Sequence, residues 1–488
     1  MDSTNLGSSL AVRRHEIQVV MVPLPVQGHL NQLLHLSRAI AARGLNVLFV
    51  STSTHIHQAR HRVQGWNPDN FSIRFHELPV PSFPDAQADP ENTEHMFPVH
   101  LIPVLEALEG YLREPFDRLM QNLCMSHMKG IVIVHDPLLG WVQTVAAKYE
   151  SPAYVFNCVS AFFSAVSQNV TEFPECVVSV KRCFPERFIN YISRQADCIR
   201  MATGHLVNSF RFLESQFLDA LLDLERQPED HGQNRLWAVG PLLPQSIWTG
   251  KKGNSDVGSC LRWLDGQAPG SVVYVSFGTM SSLSRQQLLE LARGLEASQR
   301  PFLWVVGVAD RARSTALNET QMDWISELLP EGYESRIAGR GLLVKNWAPQ
   351  LDILSHESTG GFVTHCGWNS TLEGISAGVP MVGWPLHSDQ YANSILVARK
   401  LKVGVEVKNW MKADEYELVT AEEVEKAIRR VMGEDEEARE MRRRAKEFKE
   451  AARRAVGKEG SSCNELESFI NHFTFILNEQ NSTGRRMV

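Results

Sequence analysis

The sequence predicts an α/β protein made of two Rossmann-like domains that face each other across a cleft. Short β-rich runs alternate with helical patterns through both halves of the 488-residue chain, as in doubly wound, mostly parallel sheets. The alternation stops once, between Gly240 and Cys260, where the sequence is polar and rich in turn-forming residues. A chain of this length is also expected to need more than one hydrophobic core.

The first half begins with the run IQVVMVPLP at 17–25, whose β-branched residues favour a buried strand that Pro23 and Pro25 end. Residues 29–44 then carry leucines at helical spacing, and Gly44 is expected to end that helix. Segments of the same two kinds follow. Strands are predicted at 45–52, 71–80, 130–136 and 153–157, and a helix at 140–149.

The second half repeats this architecture. Its helix at 284–298 starts with Ser284 and Gln287 at capping-box spacing. Strands are predicted at 271–279, 301–307, 341–347, 360–365 and 380–384, and helices from 421 to about 478. We therefore expect one Rossmann-like domain at 1–248, a linker at 249–260, a second Rossmann-like domain at 261–465, and a helix with a tail at 466–488. Because parallel sheets bind ligands at the carboxyl ends of their strands, the cleft between the domains is the expected site.

Composition narrows the functional class. The formal net charge of −7 argues against a nucleic-acid partner. The first 18 residues lack the apolar core of a signal peptide, and no run of 18 apolar residues follows, so no membrane-spanning segment is expected. Eight scattered cysteines without a C-x-x-C pair are typical of the reduced thiols of a cytoplasmic enzyme.

The strand predicted at 360–365 leads through a glycine turn into a helix that starts near Trp368. The N-terminus of a helix attracts anions, and His365, Asn369 and Ser370 can add hydrogen bonds there. Glu373 lies one turn further and could reach a diol. Taken alone, a glycine turn that opens a helix is weak evidence and often serves packing. It is not the G-x-G-x-x-G pattern of a dinucleotide-dependent oxidoreductase.

Two further segments support the interpretation as a nucleotide-sugar site. Trp347 follows a strand with Gln350 close by, and an exposed indole could stack on a planar base, although a single tryptophan is more often a core residue. Asp389 and Gln390 follow another strand and suit a hydroxyl-rich ligand. The alternative for this pair is a helix N-cap.

His29 is the candidate general base of the first half. It starts a helix after the first strand, where the helix N-terminus disfavours imidazolium and should keep the ring neutral. Asp136 ends another strand and could hold the second ring nitrogen, as carboxylates do in catalytic triads. Alternatively, His29 is structural and Asp136 caps the following turn. Neighbouring His135 is expected to point to the opposite face of the strand.

The segment from Trp347 to Gln390 resembles the signature box of the plant family 1 UDP-sugar-dependent glycosyltransferases, W-A-P-Q … H-x-G-W-N-S-x-x-E … D-Q. The likeness extends over nearly the whole chain. The segments GHLNQLLHLSR and HLVNSFRFLES are especially similar to the zeatin O-glycosyltransferase branch. The resemblance implies a GT-B type fold, with the acceptor bound by the first domain, the UDP-sugar bound by the second, and the C-terminal helix returning to the first.

The resemblance also implies roles for individual residues. Trp347 and the Ala348 backbone would bind uracil, and Gln350 with Glu373 the ribose. The diphosphate would be contacted by Thr279, His365, Asn369 and Ser370. The sugar hydroxyls would be bound by Trp368, Asp389 and Gln390. A terminal Gln in this box is associated with glucose, so UDP-glucose is the expected co-substrate. No bound cofactor and no metal are expected, since the chain has no D-x-D pair.

The acceptor pocket is predicted from apolar residues of the first half. The proline-rich loop between Pro79 and Pro98 is long and irregular, and loops of that length are often functional. The candidate residues are Phe83, Met96, Phe97 and Phe162, which could equally belong to the core.

The sequence thus predicts a cytoplasmic, inverting, metal-independent UDP-glycosyltransferase that is a monomer. His29 and Asp136 would be its catalytic residues, and its acceptor would be a cytokinin such as zeatin, or a flavonoid or other phenolic. A UDP-xylosyltransferase on the same acceptors and a non-catalytic nucleotide-sugar-binding protein are the alternatives.

Overall fold

The computed structural model describes residues 12–61, 71–81, 99–168, 184–225, 235–244, 246–249, 258–278, 283–306, 329–345, 347–410 and 417–483. Within these residues the chain forms two parallel sheets, one in each half, as predicted. The predicted linker at 249–260 falls largely on residues outside the described ranges, so the division of the chain into domains stays a prediction.

The first sheet has seven strands in the spatial order β3-β2-β1-β4-β5-β6-β7, all parallel. Its central strands are fully buried, which explains why they read as continuous apolar runs in the sequence. The strands are β1 (Ile17–Val22), β2 (Asn46–Thr52), β3 (Ile73–Leu78), β4 (Gly130–His135), β5 (Ala153–Asn157), β6 (Gly204–Val207) and β7 (Leu236–Ala238).

Helices cover both faces of this sheet. Successive side chains of β1 therefore pack in two different cores. Val19 and Met21 pack in one buried cluster, and Val20 and Val22 pack in another. The helices of this half are α1 (Gln27–Ala41), α2 (Ser53–His61), α3 (Ile102–Cys124), α4 (Trp141–Lys148), α5 (Ala161–Ser167), α6 (Glu186–Ile199) and α7 (Arg211–Glu225).

The second sheet has six parallel strands in the order β10-β9-β8-β11-β12-β13. Its strands are β8 (Val272–Ser276), β9 (Phe302–Val306), β10 (Gly341–Lys345), β11 (Thr359–Thr364), β12 (Met381–Gly383) and β13 (Gly404–Glu406). Two clusters again divide alternate residues of one strand, with Tyr274 on one face of β8 and Val275 on the other. This half therefore repeats the layered arrangement of the first.

The helices that follow β7 are α8 (Ser246–Thr249), α9 (Gly258–Asp265), α10 (Arg285–Ser298), α11 (Tyr333–Ile337), α12 (Gln350–Leu354), α13 (Trp368–Ala377), α14 (Gln390–Ile395), α15 (Ala421–Met432), α16 (Glu436–Val456) and α17 (Ser461–Ser482). Ser284 caps α10 by accepting a hydrogen bond from the Gln287 N–H at 3.3 Å, as its spacing predicts. No helix among the described residues is long and apolar enough to cross a membrane.

The last helix, α17, packs on the first sheet. Its residues Phe469 and Phe473 are fully buried in the core that also contains residues of β1 and β2. The Phe469 ring lies 4.9 Å from that of Tyr154 and 5.3 Å from that of Trp237. The Glu467 carboxylate pairs with Arg14 and Arg43. The final part of the chain thus completes the first core.

Candidate active site

Three strands that neighbour one another in the first sheet end at the same edge. β1, β4 and β5 are adjacent and parallel, so their carboxyl ends lie side by side. His29 lies in the first turn of α1, which follows β1. Asp136 directly follows β4, and Cys158 directly follows β5. The topology therefore brings together three side chains that are far apart in the sequence.

His29 and Asp136 form a close pair. His29 Nδ1 lies 2.6 Å from Asp136 Oδ2, and the Asp136 side chain is fully buried. Asp136 Oδ1 accepts a hydrogen bond from the Leu138 N–H at 2.9 Å, so the carboxylate also caps the following turn. The predicted cap and the predicted contact with His29 are therefore both present. The carboxylate fixes the ring of His29, whose side chain remains 25% exposed.

Burial disfavours a charged ring at His29, but the charge and hydrogen bond of Asp136 outweigh it and raise the pKa of His29. This direction is opposite to the one expected from the helix N-terminus alone, because a carboxylate in contact acts more strongly than partial charges on backbone N–H groups. Neighbouring His135 has other partners. It is buried, its Nδ1 bonds to the Asp136 carbonyl at 2.8 Å, and its Nε2 lies 2.8 Å from Gln143 Nε2.

In the second half, β11 passes through a tight turn into α13. Cys366 in this turn has a φ of 60°, which is uncommon for a residue with a side chain and is typical of strained functional loops. Gly367 precedes α13 and offers no side-chain cap, so the first N–H groups of this helix have no capping side chain. The predicted turn and helix N-terminus are therefore present, and anion binding there stays a prediction.

The His365 ring lies between two glycines. A Cβ atom at Gly278 would lie 2.8 Å from the ring, and one at Gly367 would lie 2.4 Å from His365 Nε2. Gly278 also has a φ of 76°, so it needs to be glycine for two reasons. Burial lowers the pKa of His365 to about 4, which leaves the ring neutral at physiological pH.

Gln350, at the start of α12, contacts Glu373 of α13. Gln350 Nε2 donates to Glu373 Oε2 at 2.6 Å and to Ser370 Oγ at 3.0 Å. Burial raises the pKa of Glu373 to about 7, against the opposing effect of its bond with Gln350. Trp347 lies on the loop after β10 and is 53% exposed, whereas Ala348 is buried. The tryptophan is therefore not a core residue.

Asp389 and Gln390 differ in their surroundings. Asp389 precedes α14 without capping it, and its Oδ2 accepts a hydrogen bond from Asn393 Nδ2 at 2.8 Å. Burial raises the pKa of Asp389 to about 6, although Asn393 and His29 favour its charged form. Gln390 is buried, and its Oε1 accepts from the Leu386 and His387 N–H groups at 2.9 and 3.1 Å. The side chain of Gln390 thus holds the loop before α14.

Hydrogen bonds join the two halves of the chain at this site. Asn369 Nδ2 donates to the Gly28 carbonyl, beside His29, at 2.8 Å. The Trp368 indole N–H donates to the Asn208 carbonyl at 2.8 Å, so its one side-chain donor is engaged. A third bond comes from Ser160, a position that no sequence motif indicated: its hydroxyl donates to Asn393 Oδ1 at 2.7 Å. The candidate base and the candidate anion site therefore face each other directly.

Five predicted positions remain, and the structure describes one of them. Thr279, Phe83, Met96 and Phe97 lie outside the described residues, as does most of the loop between Pro79 and Pro98. Phe162 is fully buried, with its ring 4.8 Å from that of Phe217. Core packing accounts for this position, and an acceptor contact of Phe162 stays a prediction that its burial does not favour.

Two family models match most of the chain. Residues 15–244 match the glycosyltransferase N-terminal domain, and residues 251–443 match the model described as UDP-glucoronosyl and UDP-glucosyl transferase. The zeatin O-glucosyltransferase of Phaseolus lunatus is 40% identical over 478 residues, covering 94% of this chain and 98% of that relative. The zeatin O-xylosyltransferase of Phaseolus vulgaris is 39% identical over 472 residues, covering 94% of this chain and 98% of that relative.

A solved structure extends the comparison to three dimensions. A UGT transferase from Siraitia grosvenorii in complex with UDP matches with a TM-score of 0.74 and 27% identity, covering 94% of this chain and 99% of that one. The predicted GT-B type fold is confirmed by this likeness.

Proposed function

This chain belongs to the UDP-glycosyltransferases, and on that premise we propose that it transfers glucose from UDP-glucose to a hydroxyl of a small lipophilic acceptor, with inversion. One observation supports this proposal above the others. The His29–Asp136 pair lies at the edge of the first sheet, and Asn369 of α13 bonds to the backbone next to His29. A base for the acceptor and an electropositive helix end for a diphosphate thus occupy one site.

The proposed reaction is a single displacement. Asp136 orients His29 through Nδ1, and His29 Nε2 takes the proton of the acceptor hydroxyl. The acceptor oxygen forms a bond to C1 of the sugar as the bond from C1 to the UDP oxygen breaks. The electron pair leaves with UDP, whose diphosphate would be stabilised by the N-terminus of α13 with His365, Asn369, Ser370 and Thr279. Attack opposite the leaving group converts an α-linked donor into a β-glycoside.

The donor would be held by residues of the segment from Trp347 to Gln390. Trp347 would stack on the uracil, whose edge the Ala348 backbone would contact, and the joined side chains of Gln350 and Glu373 would bind the ribose diol. Asp389 would accept hydrogen bonds from the sugar hydroxyls. The side-chain bonds of Trp368 and Gln390 are engaged within the protein, so we propose that they position the sugar site and contribute backbone contacts.

The acceptor is proposed to be a cytokinin such as zeatin, with a flavonoid or other phenolic as the second choice. The relatives from both Phaseolus species carry zeatin in their names, which favours this order. Because one of them is a xylosyltransferase, UDP-xylose is the donor to test against UDP-glucose. We further propose that the enzyme is a cytoplasmic monomer that needs no metal ion for transfer.

A donor and acceptor screen tests the proposal. The purified protein would be incubated with UDP-glucose, UDP-xylose or UDP-galactose and a panel of cytokinins, flavonoids and phenols, and products would be identified by mass spectrometry. Transfer of glucose to zeatin is the expected result. Transfer of xylose alone would contradict the proposed donor, and transfer to phenolics alone would contradict the first choice of acceptor.

A variant of the proposed base tests the mechanism with the acceptor that the screen identifies. His29→Ala should lower kcat by about 100- to 10,000-fold, because that is the usual contribution of a general base. UDP should bind the variant as it binds the original protein, which calorimetry can measure. Unchanged turnover in His29→Ala would exclude the mechanism.

A further inference from the structure

Cys158 is a buried thiol that the proposed reaction does not use. It follows β5, next to the strand that ends at Asp136. Its Sγ lies 3.6 Å from Asp136 Oδ2 and 3.9 Å from the Phe156 carbonyl. One ligand atom from each of His29, Asp136 and Cys158 lies within 4.8 Å of the other two. An imidazole, a carboxylate and a thiol thus converge on one point.

We propose that His29, Asp136 and Cys158 form a binding site for Zn²⁺, and that the bound ion inhibits the enzyme reversibly. Imidazole nitrogen, carboxylate oxygen and thiolate sulfur are the three ligand types that proteins use for zinc, and three such ligands with one open position are common. Asp389 also interacts electrostatically with His29, so a second carboxylate favours a cation here. Mg²⁺ prefers oxygen ligands and should not bind at this site.

The geometry is close to what zinc requires. Tetrahedral bonds of normal length place a carboxylate oxygen about 3.6 Å from a thiolate sulfur and about 3.3 Å from an imidazole nitrogen. The separation between Asp136 Oδ2 and Cys158 Sγ is already 3.6 Å. The separation between His29 Nδ1 and Asp136 Oδ2 is 2.6 Å and would have to open by about 0.7 Å to reach the separation that zinc requires. His29 is partly exposed, which gives the ion a path from the cleft.

Inhibition follows from the proton shifts that zinc binding causes at His29 and Cys158. In the neutral His29 ring that accepts a proton in transfer, the hydrogen is on Nδ1 and bonds to Asp136. When Zn²⁺ binds Nδ1, that hydrogen moves to Nε2, and the Cys158 thiol releases one proton to solvent as it becomes a thiolate ligand. Nε2 is then a donor and has no lone pair for the acceptor proton. The metal therefore removes the base without displacing the UDP-sugar.

Cobalt spectroscopy on the intact, metal-free chain tests the site without relying on glycosyl transfer. Co²⁺ should bind once per chain and give the near-ultraviolet charge-transfer band of a thiolate ligand, and Zn²⁺ should abolish the band. Cys158→Ser should lose the band and weaken zinc binding by at least about 100-fold, since even residues behind the ligands contribute 10- to 100-fold. Cys124→Ser removes a partly exposed thiol and should change neither property.

The possible results distinguish a failure of the zinc site from a failure of the proposed glycosyl transfer. A cobalt complex of the original protein without the thiolate band would overturn the site, whatever the variants do. Equal zinc affinity in Cys158→Ser would overturn it as well. With an acceptor identified, ZnCl₂ should inhibit transfer and a chelator should restore it, while MgCl₂ should have no effect. Zinc bound at Cys158 without inhibition would contradict the inhibitory role.

Discussion

Asp136 illustrates how one buried carboxylate sets the chemistry of its neighbour. Its two oxygens have different partners, with the Leu138 N–H on one and His29 on the other. The turn bond keeps the carboxylate in place, and the bond to His29 selects the ring tautomer whose Nε2 can accept a proton. The same contact raises the pKa of His29. The His29 ring of the free enzyme therefore holds its second proton more tightly, and that proton must leave before the ring can act as a base.

This arrangement predicts the pH dependence of transfer. The acidic limb of kcat/KM should lie above pH 6.5, the ordinary pKa of the ring, because transfer needs the neutral form of His29. Asp136→Asn removes the charge that raises the pKa, so the limb should move to lower pH while kcat falls by about 100-fold or more. A pH–rate profile of both proteins measures the two effects. An unmoved limb in the variant would show that Asp136 does not act through His29.

Glu214 is a second buried carboxyl group, and it holds the start of α5. It accepts hydrogen bonds from the Ala161 and Phe162 N–H groups at 3.2 and 2.8 Å and from the Ser209 hydroxyl at 2.6 Å. Burial outweighs these bonds and raises the pKa of Glu214 to about 7. The folded state therefore binds this proton more tightly than the unfolded chain does.

The raised pKa of Glu214 makes the protein less stable as pH rises. The contribution of Glu214 to stability is fully present below its ordinary pKa of 4.5 and is lost as pH rises toward about 7. Glu214→Gln cannot ionise, so the fall in its unfolding free energy between pH 5 and pH 7.5 should be smaller. Urea denaturation at the two pH values measures this. Glu422→Gln, at an exposed glutamate, is the control and should retain the pH dependence of the original protein.

At the scale of elements, α5 of the first half is connected to the turn before α14 of the second. Ser160 caps α5 by accepting the Phe163 N–H, and it donates to Asn393 Oδ1. Asn393 Nδ2 in turn donates to Asp389 Oδ2 and to the Cys366 carbonyl. Ser160 and Asn393 are both fully buried. The orientation of the proposed sugar-binding carboxylate thus depends on a helix of the other half.

Removing this connection should affect the sugar and spare the nucleotide. Ser160→Ala removes the hydroxyl that donates to Asn393 Oδ1. Loss of one buried hydrogen bond changes an equilibrium constant by roughly 5- to 30-fold. We expect the KM for UDP-glucose to rise by about that factor while the Kd for UDP stays unchanged, since UDP lacks the glucosyl group that Asp389 would bind. Ser164→Ala, which loses only a bond within α5, should change neither constant. Equal weakening of UDP and UDP-glucose would contradict this role.

At the scale of the whole molecule, the C-terminal helix α17 belongs to the core of the first half. Phe469→Ala would open a cavity beneath Tyr154 and Trp237 and should cost about 3–5 kcal/mol of unfolding free energy. Phe475→Ala, on the same helix but 54% exposed, should change stability by no more than about 0.5 kcal/mol. Urea denaturation followed by tryptophan fluorescence measures both. Similar losses in the two variants would show that α17 does not complete this core.

Elements with a strong local pattern could be predicted from the amino-acid sequence. β1 and β4 are fully buried runs made mostly of apolar residues, and α10 carries its own cap, so each was predictable from a short window. The candidate site from Trp347 to Gln390 and the pair of His29 and Asp136 were also identifiable, because residue type and position after a strand indicate chemistry. The strands β6, β7 and β13 were missed, since three or four residues are too few to show a period.

The tertiary structure alone decided which residues meet. His29 and Asp136 are separated by 107 positions, and Ser160 and Asn393 by 233, and no periodicity links either pair. Their contacts depend on the order of parallel strands and on the packing of one half against the other. The same contacts set the direction of the His29 pKa, the use of the Trp368 donor and the convergence on Cys158. Local sequence determines which groups a segment offers, whereas long-range packing determines the partner, charge and burial that give each group its chemistry.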